Sequence, residues 1–168
     1  MAQTLSLKDD KDSYVIAVAV ALLLSAVLLG YYYIAVRTPT KEYLTLYLLN
    51  TQRRAEGYPE LLVLGENNTI SVYVNVENHM NTSHLCEVQI KVTRDVSPMF
   101  PLNTTAIQTF RETLQVGAKL EKLTTVSLDQ IGNFSVVFEL WVLNELGVLE
   151  FSGEFCVLNV RVINSTGN

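Results

Sequence analysis

Between Tyr14 and Val36 the chain carries no charged residue, and the Ser25 hydroxyl is the one strongly polar group in the interior of that run. A stretch of more than roughly 18 apolar residues is long enough to cross a bilayer as a helix. Tyr14 stands at one end and the triplet Tyr31, Tyr32 and Tyr33 at the other. At about 1.5 Å per residue, Tyr14 and Tyr33 lie close to the roughly 30 Å of a hydrocarbon core apart. Tyrosine suits both membrane–water interfaces, because its ring is apolar and its hydroxyl reaches water. The pattern therefore predicts a transmembrane helix over 14–36, a short polar tail over 1–13 without fixed structure, and a linker over 37–41. A cleaved signal sequence has an apolar core of about 7–15 residues before a small-x-small site. This run is longer and finishes in bulky tyrosines, so a retained anchor is expected. It holds no ionisable group, which argues against transport or proton relay by this chain alone. Ala17, Ala21, Ser25 and Gly30 are small enough to let a second helix approach closely.

The remaining residues, 42–168, suffice for one ordinary domain. The formal charge is -5, and from Thr38 onward 9 basic residues face 14 acidic ones. An acidic domain without a basic stripe argues against nucleic acid, whose phosphates need Lys and Arg to displace counterions. Charge does not orient the helix, since Lys8 and Lys11 flank one side and Arg37 and Lys41 the other. The sequons do. Asn67, Asn81, Asn103, Asn133 and Asn164 each begin an Asn-x-Ser/Thr triplet, and all five follow the helix. With both cysteines on the same side, this places the N-terminus in the cytoplasm and the domain outside the cell.

Past Pro39, the pattern is β throughout. Ile70, Val72, Val74 and Val76 alternate with Ser71, Tyr73, Asn75 and Glu77, the period of a strand with one wet face. Cys86, Val88, Ile90 and Val92 repeat it against Glu87, Gln89, Lys91 and Thr93. Further strands are expected at 42–49, 61–64, 106–116, 119–128, 135–144, 149–152 and 154–163, with Val137, Leu140 and Trp141 helping to fill a core. About 7–9 short strands with turn signals between them imply an immunoglobulin-like antiparallel β-sandwich. The Asp129-x-x-Gly132-x-Phe134 turn resembles the corner where such sandwiches set an aromatic at the start of their penultimate strand.

The run Tyr58-Pro59, Gly65-Glu66 and Val72-x-Val74-x-Val76-x-Asn78-His79 is similar to a known family. It resembles the extracytoplasmic domain of archaeal membrane proteins catalogued as domain of unknown function 1616. That resemblance covers Glu42 to about His79 and implies an archaeal origin and a β-sandwich ectodomain, with no known activity.

Catalytic and cofactor signatures are missing from the sequence: there is no phosphate-cradling Gly-rich loop and no Gly-x-Ser-x-Gly elbow. Glu139, Glu145 and Glu150 are read as solvated strand faces. His79, His84 and Cys86 lack a fourth ligand at a recognised spacing, so no metal site is expected. Arg53 and Arg54 are read as a soluble turn, with lipid headgroups or an acidic partner as the alternative. Cys86 and Cys156 both project to apolar faces, in positions taken to lie across the sandwich. A disulfide there would stabilise by roughly 4 kcal/mol, and two buried thiols are the alternative.

The expected function is noncatalytic: a single-pass, membrane-anchored extracytoplasmic interaction or accessory subunit. Its partners would be membrane lipid and a membrane-protein or envelope complex. Two alternatives are a pilin-like filament subunit, for which Lys11-Asp12-Ser13 supplies no processing site, and an extracellular hydrolase or carbohydrate-binding module. Exposed aromatics clustered around Tyr58, Tyr73 and Phe100 would favour the latter.

Overall fold

The computed structural model describes residues 8–37, 42–94 and 98–165, without the side chains of 8–13 and 35–37. Two compact units result, Met1–Lys41 and Glu42–Asn168. In the first, a single helix α1 spans Lys8–Arg37. The polar residues 8–13, expected to lack structure, continue the helix. Residues 1–7 of the expected tail and 38–41 of the expected linker lie outside the described residues. Tyr14 to Ile34 forms a 21-residue apolar segment with every side chain exposed, long and apolar enough to cross a membrane.

The second unit is an immunoglobulin-like β-sandwich, with eight strands among its described residues. They are β1 (Leu44–Leu49), β2 (Leu61–Leu64), β3 (Thr69–Asn78), β4 (His84–Thr93), β5 (Gln108–Leu114), β6 (Lys119–Ser127), β7 (Gly132–Leu143) and β8 (Leu149–Asn164). One sheet has the order β1-β3-β6, the other β2-β8-β7-β4-β5. Alternation decides which side chains meet between them. Leu44, Leu46 and Leu48 of β1 and Ile70, Val72, Val74 and Val76 of β3 face Cys86, Val88 and Ile90 of β4. Phe134, Val136, Phe138 and Leu140 of β7 and Leu158, Val160 and Val162 of β8 complete the core. Fully burying one such side chain contributes about 1.5–3 kcal/mol, so this face holds the domain together.

Three expectations need correction. The sandwich is not wholly antiparallel: β2 runs parallel to β8, with Leu61 opposite Arg161 and Leu64 opposite Asn164. Glu60 leads the chain into that pairing, its carbonyl accepting from the Arg161 amide at 2.8 Å before β2 begins. The last two expected strands are one, β8, whose ladder with β7 shifts register between Glu139 and Trp141. There Gly153 takes φ 89°, a region that favours glycine. Finally, Val137 and Trp141 do not share the core with Leu140. Odd and even positions of β7 point to opposite faces, and Val137 is buried on the outer side, apart from the main core cluster.

Candidate functional site

The connection from β4 to β5 returns to this outer side. Its Leu102 folds over the outer face of the five-stranded sheet and, like Val137, is buried. Beneath it Glu139 is fully buried and Lys91 nearly so. Lys91 Nζ donates to Glu139 Oε2 at 2.8 Å and to the Leu102 carbonyl at 2.8 Å. Glu139 Oε1 accepts from the Leu102 amide at 2.5 Å, and Oε2 also accepts from Trp141 Nε1 at 3.2 Å. Lys91 further lies 5.3 Å from the centre of the Trp141 ring. Glu139 is thus no solvated acid. It pins the loop to the sheet, with each oxygen accounted for, as a buried charge requires. Beside it Glu87, also buried, accepts from Arg111 of β5 and from Gln89 Nε2.

On the outer face of the three-stranded sheet, Glu77 forms a second network. Tyr47 donates to its Oε1 at 2.6 Å, His79 Nε2 lies 3.2 Å from Oε2, and Lys119 Nζ lies 3.6 Å from Oε1. The Tyr47 hydroxyl chiefly holds the Glu77 carboxyl below its usual range, with help from His79 and Lys119 against the cost of burial. His79 stacks on Tyr43, and His84 bonds Thr82, so the two histidines have separate partners. Among the described residues no three His, Cys, Asp or Glu side chains gather as a metal site.

The residues behind the family resemblance carry structure. Tyr58 donates to the Leu48 carbonyl at 2.7 Å, and burial pushes its phenol up. Gly65 turns the chain at φ 84°. Asn78 is fully buried: its Nδ2 donates to the carbonyls of Thr82, Leu114 and Gln115, and its Oδ1 accepts from the Met80 amide. It clasps two turns at one end of the sandwich. Arg53 is no free turn residue either; it pairs with Glu121 at 2.9 Å and lies over the Tyr73 ring.

The cysteines do not meet. Both thiols are free. Cys86 stands opposite Val142 on one side of β7, and Cys156 opposite Phe138 on the other. They belong to one sheet rather than two, offset by about 13 Å along the strands and about 10 Å across them. A disulfide requires Cα atoms within about 7 Å, so the expected bridge is excluded. Burial raises both thiols to about 11, and Cys156 Sγ donates to the Leu46 carbonyl at 3.4 Å.

Asn67, Asn81, Asn103, Asn133 and Asn164 are all exposed, although Asn81 Nδ2 is engaged with Glu42 Oε1 at 2.6 Å. Tyr14, Tyr31, Tyr32 and Tyr33 are exposed along α1. Ala17, Ala21 and Ser25, spaced by four, share a stripe, and Ser25 Oγ donates to the Ala21 carbonyl at 2.8 Å. Gly30 does not share it, because five further residues rotate it by roughly 140°. Tyr58, Tyr73 and Phe100 do not cluster. Tyr73 lies on the three-stranded sheet, and Phe100 stacks on Phe155 over the five-stranded one.

Among the open clefts of the domain is one of about 610 Å³. It lies where β2 leaves β8, between Tyr58–Pro59–Glu60 and the β8 residues Val157 to Arg161, with Arg94, Asn133 and Ser135 at its side. Nothing in the sequence pattern marked it, because it depends on a parallel pair that ends early.

An immunoglobulin-like β-sandwich behind an apolar helix is the class of protein these features define. No protein-family model matches the chain, and no curated protein does. Among solved structures it is similar to the CARDB domain of a Pyrococcus furiosus protein in complex with di-metal ions. The identity is 13%, the TM-score 0.48, and the match covers 73% of this chain and 89% of that one. A solution structure of the same domain gives 12%, 0.49, 73% and 95%. A β-glucosidase from Listeria innocua in complex with glucose is 15% identical, with a TM-score of 0.45; the match covers 73% of this chain and 16% of that one.

Proposed function

We propose that the protein is a noncatalytic, single-pass membrane subunit that presents its β-sandwich outside the cell for interaction within a membrane or envelope complex. The observation that carries this reading is the exposure of all five sequon asparagines on the domain that follows an apolar, wholly exposed helix. A glycan needs an accessible Asn side chain, and a charge-free helix needs lipid or protein around it. The acids of the domain support the noncatalytic part. Glu77, Glu87 and Glu139 each hold a structural partner, and a general acid or base would need one free for substrate. The resemblance to domain of unknown function 1616 belongs to the same proposal, with the archaeal origin that it implies. Without a cluster of Tyr58, Tyr73 and Phe100, the carbohydrate-binding alternative loses the feature that would have favoured it.

Fractionation and glycan mapping of the full chain test the proposal together. The expected result is a chain that resists alkaline extraction from membranes, keeps residues 14–34 in its mature mass, and carries glycan on at least one of the five asparagines. A mature chain lacking the helix, or a membrane-bound chain whose domain is digested only from the cytoplasmic side, contradicts it.

A further inference from the structure

A strand edge with unpaired backbone groups is a template for another strand, and stable proteins blunt such edges. Three edges of this sandwich are blunted. On β1, the Leu46 and Leu48 carbonyls accept from Cys156 Sγ and Tyr58 Oη. On β6, the Thr125 carbonyl accepts from Gln108 Nε2 at 2.8 Å. The β5 edge carries Arg111 and Glu112 in mid-strand. The fourth edge, β8, is covered by β2 only from Arg161 to Asn164. The Arg161 amide donates to the Glu60 carbonyl at 2.8 Å, so odd-numbered residues of β8 turn their N–H and C=O toward the lane of β2. Below Arg161 no strand among the described residues pairs with β8 on that side; Tyr58–Glu60 flank the lane above, and β1 flanks it where Cys156 Sγ meets the Leu46 carbonyl. Phe155, Val157 and Asn159 present backbone groups to it, and the cleft between Tyr58–Glu60 and β8 is its upper part.

We infer that this lane binds an extended, acid-bearing peptide segment of a partner protein, which adds to β8 as a strand in line with β2. Main-chain bonds to Phe155, Val157 and Asn159 supply the affinity of such strand addition, and flanking side chains select the segment. The selecting charge is positive: Arg94 and Arg161 line the cleft with a single acid, Glu60. Among the described residues neither arginine pairs with a carboxylate; Arg94 donates to Gln130 Oε1 at 2.6 Å and keeps its charge uncompensated there, in a protein whose net charge is -5. A second copy fits less well, because pairing β8 with itself brings Glu150 and Glu154 of both chains into one seam, and like charges across a seam repel. The inference rests on the interaction reading above and names the surface it would use.

The test uses the full chain in detergent micelles and a synthetic peptide of alternating Val and Thr with one central Glu, beside its Gln counterpart. In the free protein the amides of Phe155, Val157 and Asn159 should exchange quickly while those of Cys156, Leu158 and Val160, bonded to β7, are protected. The Glu peptide should slow the three exposed amides by about ten-fold. At low salt the Gln peptide should bind up to about five-fold more weakly, and Arg161→Gln should erase that difference. Val157→Pro removes a lane-facing donor without touching the β7 ladder and should abolish the protection. Two outcomes overturn the inference: no protection by either peptide, or protection already present in a chain that sediments as a dimer, which would assign the lane to a second copy. Neither affects membrane extraction or glycan mapping, so the broader reading stands or falls separately.

Discussion

Glu77 and Glu139 lie on opposite sheets, and both read as ordinary outward-facing acids in their alternating strands. Their fates differ for tertiary reasons. Glu139 is sealed by Leu102, a residue 37 positions away in the chain, and no local pattern announces that a loop will fold over it. Lys91 and Glu139 are each placed on the correct face by strand period, yet period says nothing about what covers that face. Glu77 keeps some exposure, and its carboxyl is held below the usual range chiefly by the Tyr47 hydroxyl. A carboxyl depressed in the folded state stabilises it above the unfolded carboxyl value, and that contribution is lost as pH falls through the folded one. Glu77→Gln should therefore be less stable than the parent at neutral pH, and the gap should close under acid. Urea titrations of parent and variant across that range check it; a gap independent of pH would remove the Tyr47–Glu77 bond from the account.

Among the elements, β3 is legible in the alternation of Ile70, Val72, Val74 and Val76, because four alternating apolar positions leave one register that buries them all. β8 is not. Its Ser152-Gly153 pair has the composition of a turn, so the strand reads as two pieces, whereas Gly153 serves a bulge within one. The parallel partnership of β2 and β8 was also hidden: four residues of Leu and Val carry no sign of direction. The bulge makes a prediction of its own. A Cβ at Gly153 would meet nothing within 4 Å, so Gly153→Ala adds no clash and isolates the backbone cost of φ 89°. The variant should lose about 1 kcal/mol or more, read as a lowered Tm. A gain in stability would mean that the strand runs on without the bulge.

For the molecule as a whole, topology decides what the two cysteines can do. Inward-facing apolar strands separated by 70 positions, both following the apolar helix, make a bridge across the sandwich a natural expectation. Strand order is the information that spacing lacks. With β7 between them and a four-residue offset along it, Cys86 and Cys156 sit in one sheet and cannot join without dismantling the ladder. The domain must then stand on its packed core. Burial holds both thiols near 11, which leaves a thiolate fraction at neutral pH more than about a hundred-fold below that of a free cysteine. The native chain should accordingly resist alkylation by iodoacetamide at pH 7 and take up two equivalents once unfolded without reductant. Its mass should be the same before and after reduction. A chain two hydrogens lighter than its reduced form, with neither thiol alkylated after unfolding, would mean that β4 and β8 lie closer than this strand order allows.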